Sequence, residues 1–124
     1  MKILVDTDII IDVLRNFRKT IEILKELNAK SELFISGITE SEIFSGKDLN
    51  ENEKREKVKK FLLNFRKINP DNEIFQLAGE LRRKYQVSLL DSIIAATACK
   101  IEASLLTKNV KDFKKISEIK LYLV

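Results

Sequence analysis

The chain has 124 residues, a net charge of +4 at pH 7 and 44% hydrophobic residues, so residues 1–124 are expected to form a single folded domain. It contains no histidine, which excludes Ser-His-Asp and Cys-His catalysis, histidine-ligated zinc and a histidine general base. The single cysteine excludes an intrachain disulfide. The sequence has no signal-like segment and no apolar run of membrane length, so we expect a cytoplasmic protein with no membrane partner.

Short apolar runs alternate with longer segments of helical periodicity along the whole chain. In chain order, the pattern predicts a strand at 3–5, helices at 9–14 and 20–28, a strand at 33–35, helices at 39–45 and 50–65, a short strand ending at 68, helices at 71–85 and 89–100, a strand at 105–106, a helical turn at 110–116 and a strand at 119–123. This alternation is typical of βαβ units. It predicts an α/β fold with a mostly parallel sheet and helices on both faces.

Acidic residues recur where the predicted strands end. Asp6 directly follows the first strand, Glu42 lies in the helix after the second, and Asp112 lies in the turn after strand 105–106. Asp91 begins the helix that leads into that same strand. Because all these positions belong to the carboxyl edge of a parallel sheet, the four carboxylates are expected to meet at one rim, where open α/β folds bind ligands.

Helix capping is the competing explanation for acids at helix starts. Thr39 and Glu42 have the spacing of a capping box with Thr39 as the N-cap, and residues 88–91 and 109–112 have a similar spacing. Acids in a first helical turn also stabilise the helix dipole by about 0.3–1 kcal/mol each. Capping does not explain acids placed directly behind a buried strand, nor does it explain why all of them share one edge.

Several carboxylates at one rim repel one another unless cations lie between them. A ligand set made of oxygen atoms, without histidine or cysteine, favours the hard ions Mg²⁺ or Mn²⁺. These ions keep several waters, accept phosphate oxygens as further ligands and promote the attack of water on phosphorus. The acid pattern therefore predicts metal-dependent hydrolysis of phosphodiester bonds.

Four segments carry a family resemblance. They are the strand followed by Asp6-Thr7-Asp8, the segment Thr39-x-x-Glu42-Ile43-x-x-Gly46, the helix Asp91-Ser92-Ile93-Ile94-Ala95-Ala96-Thr97-Ala98 and the segment Leu106-Thr107-Lys108-Asn109-Val110-Lys111-Asp112-Phe113. In this order and at this spacing they resemble the PIN-domain ribonucleases, above all the VapC toxins of toxin–antitoxin modules. The resemblance spans essentially the whole chain.

The resemblance implies a PIN-like three-layer sandwich with a four- to five-stranded, mostly parallel sheet. It also implies a Mg²⁺-dependent endoribonuclease that hydrolyses RNA, with Mn²⁺ as a possible substitute ion. Two protein partners are implied as well: a second copy of the chain, which forms a homodimer, and a VapB-type antitoxin that blocks the site.

The resemblance also implies roles for individual residues. Asp6 and Asp91 match the principal metal ligands, while Glu42 and Asp112 match the third and fourth acids, which could form a second metal site. Three further residues would support the acids. Thr7 would orient Asp6 or a water on the metal ion, and Asn109 lies beside the fourth acid. Asp8 is found where the family often has Asn.

Basic and aromatic residues offer further candidates. Lys108 and Lys111 flank the last acidic segment and could contact RNA phosphates, although a solvated charged face is the alternative. Phe17 is expected in the core or an interface rather than as a platform for bases. Asp12 is expected on the surface of the first helix.

Two other functions remain compatible with these residues. A haloacid-dehalogenase-type phosphatase would use Asp6 as nucleophile and Asp8 as acid, although Ile10 stands where that motif has Thr or Val. A basic α/β module that binds RNA or a protein without catalysis would use the acids only as helix caps.

Overall fold

The computed structural model describes residues 1–124, and its elements follow the predicted order. They are β1 (Lys2–Val5), α1 (Thr7–Leu14), α2 (Arg18–Lys30), β2 (Glu32–Ser36), α3 (Gly37–Phe44), a 3₁₀ turn (Lys47–Asn50), α4 (Asn52–Leu62), β3 (Arg66–Ile68), α5 (Asn72–Tyr85), α6 (Leu89–Ile101), β4 (Ser104–Leu106), α7 (Val110–Phe113) and β5 (Lys120–Leu121). No helix combines the length and the apolar character that a membrane crossing requires.

The five strands form one sheet in the order β3-β2-β1-β4-β5, and every neighbouring pair is parallel. The predicted α/β class is therefore confirmed. β1 lies in the centre, where both faces of a strand are covered. This explains its continuous apolar run, because Ile3, Leu4 and Val5 are completely buried.

Two hydrophobic clusters cover the two faces of the sheet, so the predicted three-layer arrangement is also confirmed. Alternate residues of β1 point into different clusters, as the pleat of a strand requires. Leu4 packs with side chains from α5 and α6, whereas Ile3 and Val5 pack with side chains from α1, α2 and α4. The middle of α6 is buried throughout, which accounts for its small and apolar residues.

One local prediction is wrong in a way that matters for function. α3 begins at Gly37, and its N-cap is Ser36, whose hydroxyl accepts a hydrogen bond from the Ile38 amide at 3.1 Å. Thr39 is therefore a buried residue inside the helix rather than its cap. Glu42 lies in the second turn, beyond the first-turn positions that capping explains.

Other boundaries shift by a few residues. The predicted helix at 50–65 is shorter in the structure, because the 3₁₀ turn ends at Asn50 and α4 spans Asn52–Leu62, ending before the buried Phe65. The predicted turn at 110–116 ends at Phe113. The first strand, the first helix and the turn after β4 bring their polar side chains to the same edge of the sheet.

Candidate active site

Asp6 lies at the centre of this edge, directly after the central strand. Its amide extends the sheet by donating to the carbonyl of Leu106 at 2.9 Å. Its carboxylate, only 8% exposed, accepts hydrogen bonds from the Thr7 amide at 2.8 Å and the Thr107 hydroxyl at 2.7 Å. Burial, together with the charges of Asp8 and Asp91, raises the pKa of Asp6 to about 7, although both hydrogen bonds act in the opposite direction.

Asp8 lies beside Asp6 in the first turn of α1 and shares one of its partners. The Thr107 hydroxyl, bonded to Asp6, is also 3.3 Å from Oδ2 of Asp8, and the same oxygen accepts the Lys108 amide at 3.1 Å. The other oxygen, Oδ1, is buried without a hydrogen-bond partner. Burial raises the pKa of Asp8. Asp8 therefore presents an unpaired carboxylate oxygen next to the buried acid Asp6.

Asp91 is positioned by the start of α6. The Ser88 hydroxyl accepts the Asp91 amide at 3.1 Å, so the predicted cap at 88–91 is confirmed. The side-chain amide of Asn109 donates to Oδ2 of Asp91 at 3.3 Å. Asn109 makes no capping hydrogen bond to α7, contrary to the capping explanation for residues 109–112.

The pKa of Asp91 shows which acids it faces. Burial raises this pKa, and the charges of Asp112, Glu42 and Asp8 raise it further. The acids contributed by α1, α3, α6 and α7 therefore act on one another electrostatically.

Glu42 reaches the same region from the second turn of α3. Its Oε1 accepts a hydrogen bond from the Thr7 hydroxyl at 2.6 Å, and that hydroxyl lies 3.0 Å from the hydroxyl of buried Thr39. Thr7 thus holds two acids at once, since its backbone amide bonds Asp6 and its hydroxyl bonds Glu42. Of the two roles expected for Thr7, the contact to Asp6 is made by the backbone rather than by the side chain.

The remaining sequence candidates lie at the outer border. Asp112 is half-exposed, with Oδ1 3.8 Å from the ammonium group of Lys115. Lys111 is exposed and makes no ion pair. Lys108 is different, because its ammonium group lies 3.0 Å from Oδ1 of Asp12.

Asp12 was expected on the surface, but it is buried. Its second oxygen accepts the Thr20 hydroxyl at 3.1 Å. The fold places Asp12 one helical turn after Asp8, on the face of α1 that meets the loop after β4.

The sequence analysis missed Thr107 as a polar partner of the acids, Thr39 as the partner of the Thr7 hydroxyl, and Asp12 as the partner of a candidate lysine. Thr107 had a recognisable signal, because a hydroxyl directly after a strand lies at the same edge as the acids. Asp12 also had one, since its spacing from Asp8 places both on one face of a helix.

The donor set fits a hard divalent cation held partly by solvent and substrate. All its donors are oxygen atoms, one carboxylate oxygen is buried without a partner, and the pKa of Asp6 is raised. No three Asp, Glu, Cys or His side chains form a complete ligand set. Waters and substrate oxygens would therefore have to complete the shell of a bound ion.

Comparisons with known proteins agree with this geometry. The profile of the PIN domain matches residues 3–119. The chain is 32% identical to Ribonuclease VapC10 of Mycobacterium tuberculosis over 95% of this chain and 90% of the relative. Among solved structures, it resembles a toxin–antitoxin complex from Klebsiella pneumoniae, with a TM-score of 0.83, 30% identity and 98% of both chains covered.

A second solved structure leads to the same family. VapBC-1 from nontypeable Haemophilus influenzae matches with a TM-score of 0.83 and 25% identity over 98% of this chain and 97% of that chain. A dehalogenase-type phosphatase and a module without catalysis are not supported by these relatives. With a profile match over nearly its whole length and a ribonuclease relative above 30% identity, the chain belongs to the PIN-domain family, among the VapC-type ribonucleases of toxin–antitoxin modules.

Proposed function

We propose that this protein is an endoribonuclease that hydrolyses RNA phosphodiester bonds with the help of Mg²⁺, or of Mn²⁺ as a substitute. The observation that carries the proposal is the buried carboxyl of Asp6, whose pKa is raised to about 7 next to Asp8 and Asp91. A buried acid among other acids destabilises the fold, and a divalent cation between them removes that cost. Family membership supports the reaction class.

Asp6 and Asp91 would hold the ion, and Glu42 with Asp112 would form a second site if two ions bind. When bound, such an ion lowers the pKa of a water and stabilises the negative charge that develops on the phosphate. Asp8, whose charge acts on Asp6, would add to the negative charge that attracts the ion.

The surrounding residues orient these acids before substrate arrives. The Thr107 hydroxyl and the Thr7 amide fix both oxygens of Asp6, and the Asn109 amide fixes one oxygen of Asp91. The Thr7 hydroxyl keeps Glu42 turned toward the same edge. Polar partners of this kind raise the affinity of a site because less reorganisation is required on binding.

Cleavage of a labelled RNA by the purified protein tests the proposal. We expect cleavage with Mg²⁺ or Mn²⁺, none in EDTA, and none with Asp6→Asn or Asp91→Asn even though both variants fold. The matched control is Asp48→Asn, which makes the same chemical change in the exposed 3₁₀ turn and should leave cleavage unchanged. Full activity in EDTA would contradict the metal mechanism.

We also propose two protein partners, a VapB-type antitoxin and a second copy of this chain. A similar solved structure is described as a toxin–antitoxin complex, and the exposed apolar side chains Leu89 and Leu90 at the start of α6 support an interface. An RNA substrate and one unpaired thiol are compatible with the cytoplasm as the compartment.

Two measurements check these partners. Light scattering should give twice the mass of the single chain, and a monomer at micromolar concentration would contradict the homodimer. A small protein encoded next to this chain should co-purify with it and suppress RNA cleavage. Unchanged cleavage in the presence of a bound neighbour would contradict the antitoxin proposal.

A further inference from the structure

The side chain of Phe17, expected in the core or an interface, is 51% exposed in the turn between α1 and α2. Asn16 adopts a left-handed conformation with φ of 62°, and the Phe17 amide donates to the carbonyl of Asp12 at 3.0 Å. Phe17 is the N-cap residue of α2, where its carbonyl accepts the Ile21 amide at 3.1 Å and its side chain makes no hydrogen bond. The turn therefore holds the ring at the surface, and only the backbone of Phe17 takes part in the hydrogen bonds of the helix.

The ring is connected to the acidic edge through Lys108. The ammonium group of Lys108 lies 5.9 Å from the centre of the Phe17 ring, while the backbone amide of the same residue donates to Asp8 at 3.1 Å. The exposed aromatic face and the acid cluster are therefore separated by about the length of one lysine side chain.

Cationic residues are close to Phe17 in the chain. Arg15, Arg18 and Lys19 lie within two residues of Phe17, are exposed and make no ion pair with any acid of the chain. Phe17 is the only strongly exposed large hydrophobic side chain between residues 2 and 62. A protein interface usually has an apolar centre depleted in charge, whereas a single ring among cations is typical of surfaces that bind single-stranded nucleic acid.

We propose that Phe17 and these three cations form a subsite for one nucleotide of single-stranded RNA, next to the acids that cleave it. A base stacks on the exposed ring, and Arg15, Arg18 and Lys19 neutralise the flanking phosphates. This deepens the proposed ribonuclease function and rests on it. It assigns to Phe17 a role in substrate binding that is separate from the acids, so the subsite can be tested without any cleavage.

The absence of tryptophan from the sequence provides a direct test. Phe17→Trp introduces a single fluorophore at the subsite, and Phe75→Trp introduces one at a similarly exposed aromatic position on α5. Each variant is titrated in EDTA with a single-stranded RNA carrying 2′-O-methyl groups that prevent cleavage. We expect the RNA to quench the fluorophore at position 17 by stacking and to leave the one at position 75 unchanged.

Affinity measurements with the same RNA separate stacking from charge. Phe17→Ala should bind about 5- to 100-fold more weakly, the loss expected when one base–aromatic stack is removed. The salt dependence of its binding should stay unchanged, because no phosphate contact is lost. The pair Arg18→Ala and Lys19→Ala should lower the salt slope by about 0.7 per cation removed. An RNA of the same length with abasic positions should bind the wild type and Phe17→Ala equally.

The outcomes distinguish this subsite from the proposed function. RNA binding without quenching at position 17, or unchanged affinity of Phe17→Ala, overturns the subsite and leaves the ribonuclease proposal intact. A shift of the monomer–dimer equilibrium in Phe17→Ala with unchanged RNA affinity assigns the ring to a protein interface instead. Quenching at position 17 in a protein that cleaves no RNA supports the subsite and contradicts the ribonuclease proposal.

Discussion

The ammonium group of Lys108 lies 3.0 Å from Oδ1 of Asp12, a carboxylate that is only 6% exposed. Lys108 stands between Thr107 and Asn109 in the loop after β4, and these two neighbours bond the acids Asp6 and Asp91. The loop after β4 orients the acids, and the ion pair attaches this loop to α1. The ion pair gives Lys108 a structural role in the site, and its contact with an RNA phosphate stays a prediction.

The first prediction follows from the burial of Asp12. Lys108→Ala removes its charged partner and leaves the carboxylate with the Thr20 hydroxyl alone. We expect the free energy of unfolding to fall by about 1–3 kcal/mol, less than for a fully buried pair because half of the lysine is exposed. Urea unfolding measures this change. In the double variant with Asp12→Asn the loss should be smaller than the sum of the two single losses.

The second prediction concerns Lys111, which makes no ion pair and is the matched control for Lys108. Lys111→Ala should change the free energy of unfolding by less than about 0.5 kcal/mol, as expected for an exposed residue without partners. If its ammonium group contacts an RNA phosphate, the salt slope of binding to a single strand should fall by about 0.7. Binding titrations at several salt concentrations test this, and an unchanged slope would mean that Lys111 belongs to a solvated face.

The third prediction is a dependence of stability on pH in the presence of EDTA. The folded protein keeps the proton on Asp6 up to a pKa of about 7, whereas the ordinary value is 3.8, so the folded state binds more protons between these values. The free energy of unfolding should therefore fall as pH rises from about 4 to about 7, by at most about 4 kcal/mol, and then level off.

The variant Asp6→Asn isolates this effect, because it removes the titrating group and leaves a side chain of the same shape. When metal is absent, the free energy of unfolding of Asp6→Asn minus that of wild type should be larger at pH 8 than at pH 5. Asp48→Asn, in the exposed 3₁₀ turn, should follow the wild-type profile. A wild-type profile parallel to that of Asp6→Asn across this range would show that Asp6 does not titrate as the structure indicates.

The fourth prediction concerns Thr107, whose hydroxyl lowers the pKa of both Asp6 and Asp8. Thr107→Val keeps the shape of the side chain but removes the hydroxyl, so ionising Asp6 becomes harder and a cation binds more weakly. We expect the Mg²⁺ concentration for half-maximal cleavage to rise about 10- to 100-fold, the usual effect of losing a partner of a metal ligand. Thr107→Ser retains the hydroxyl and should keep most of the wild-type response. Equal behaviour of the two variants would contradict the role of the hydroxyl.

Local patterns in the sequence were sufficient to predict the class of fold and the place of the acids. The apolar run at Ile3, Leu4 and Val5 indicated a strand buried on both faces, because only a central strand of a covered sheet hides consecutive side chains. Acids placed after strands indicated one shared edge, because parallel strands all end on the same side of a sheet. These inferences needed only the periodicity of strands and helices and the order of elements.

The cap of α3 was predicted at Thr39, and the structure places it three residues earlier. Ser36 and Thr39 are both good capping residues, and the structure uses Ser36. The end of β2 determines this choice, because the strand places Ser36 at the edge of the sheet and Thr39 in the interior. Glu42 therefore lies in the second turn of α3, where its charge acts on Asp91, and it does not cap its own helix.

The contacts that make the site specific were decided only by the tertiary structure. The hydrogen bond from Thr107 to Asp6 joins residues 101 positions apart, and the ion pair between Lys108 and Asp12 joins residues 96 positions apart. Such pairs depend on how β4 is aligned beside β1, which no local pattern encodes. The exposure of Phe17 depends on the same packing, because a phenylalanine is buried or exposed according to what the fold places over it.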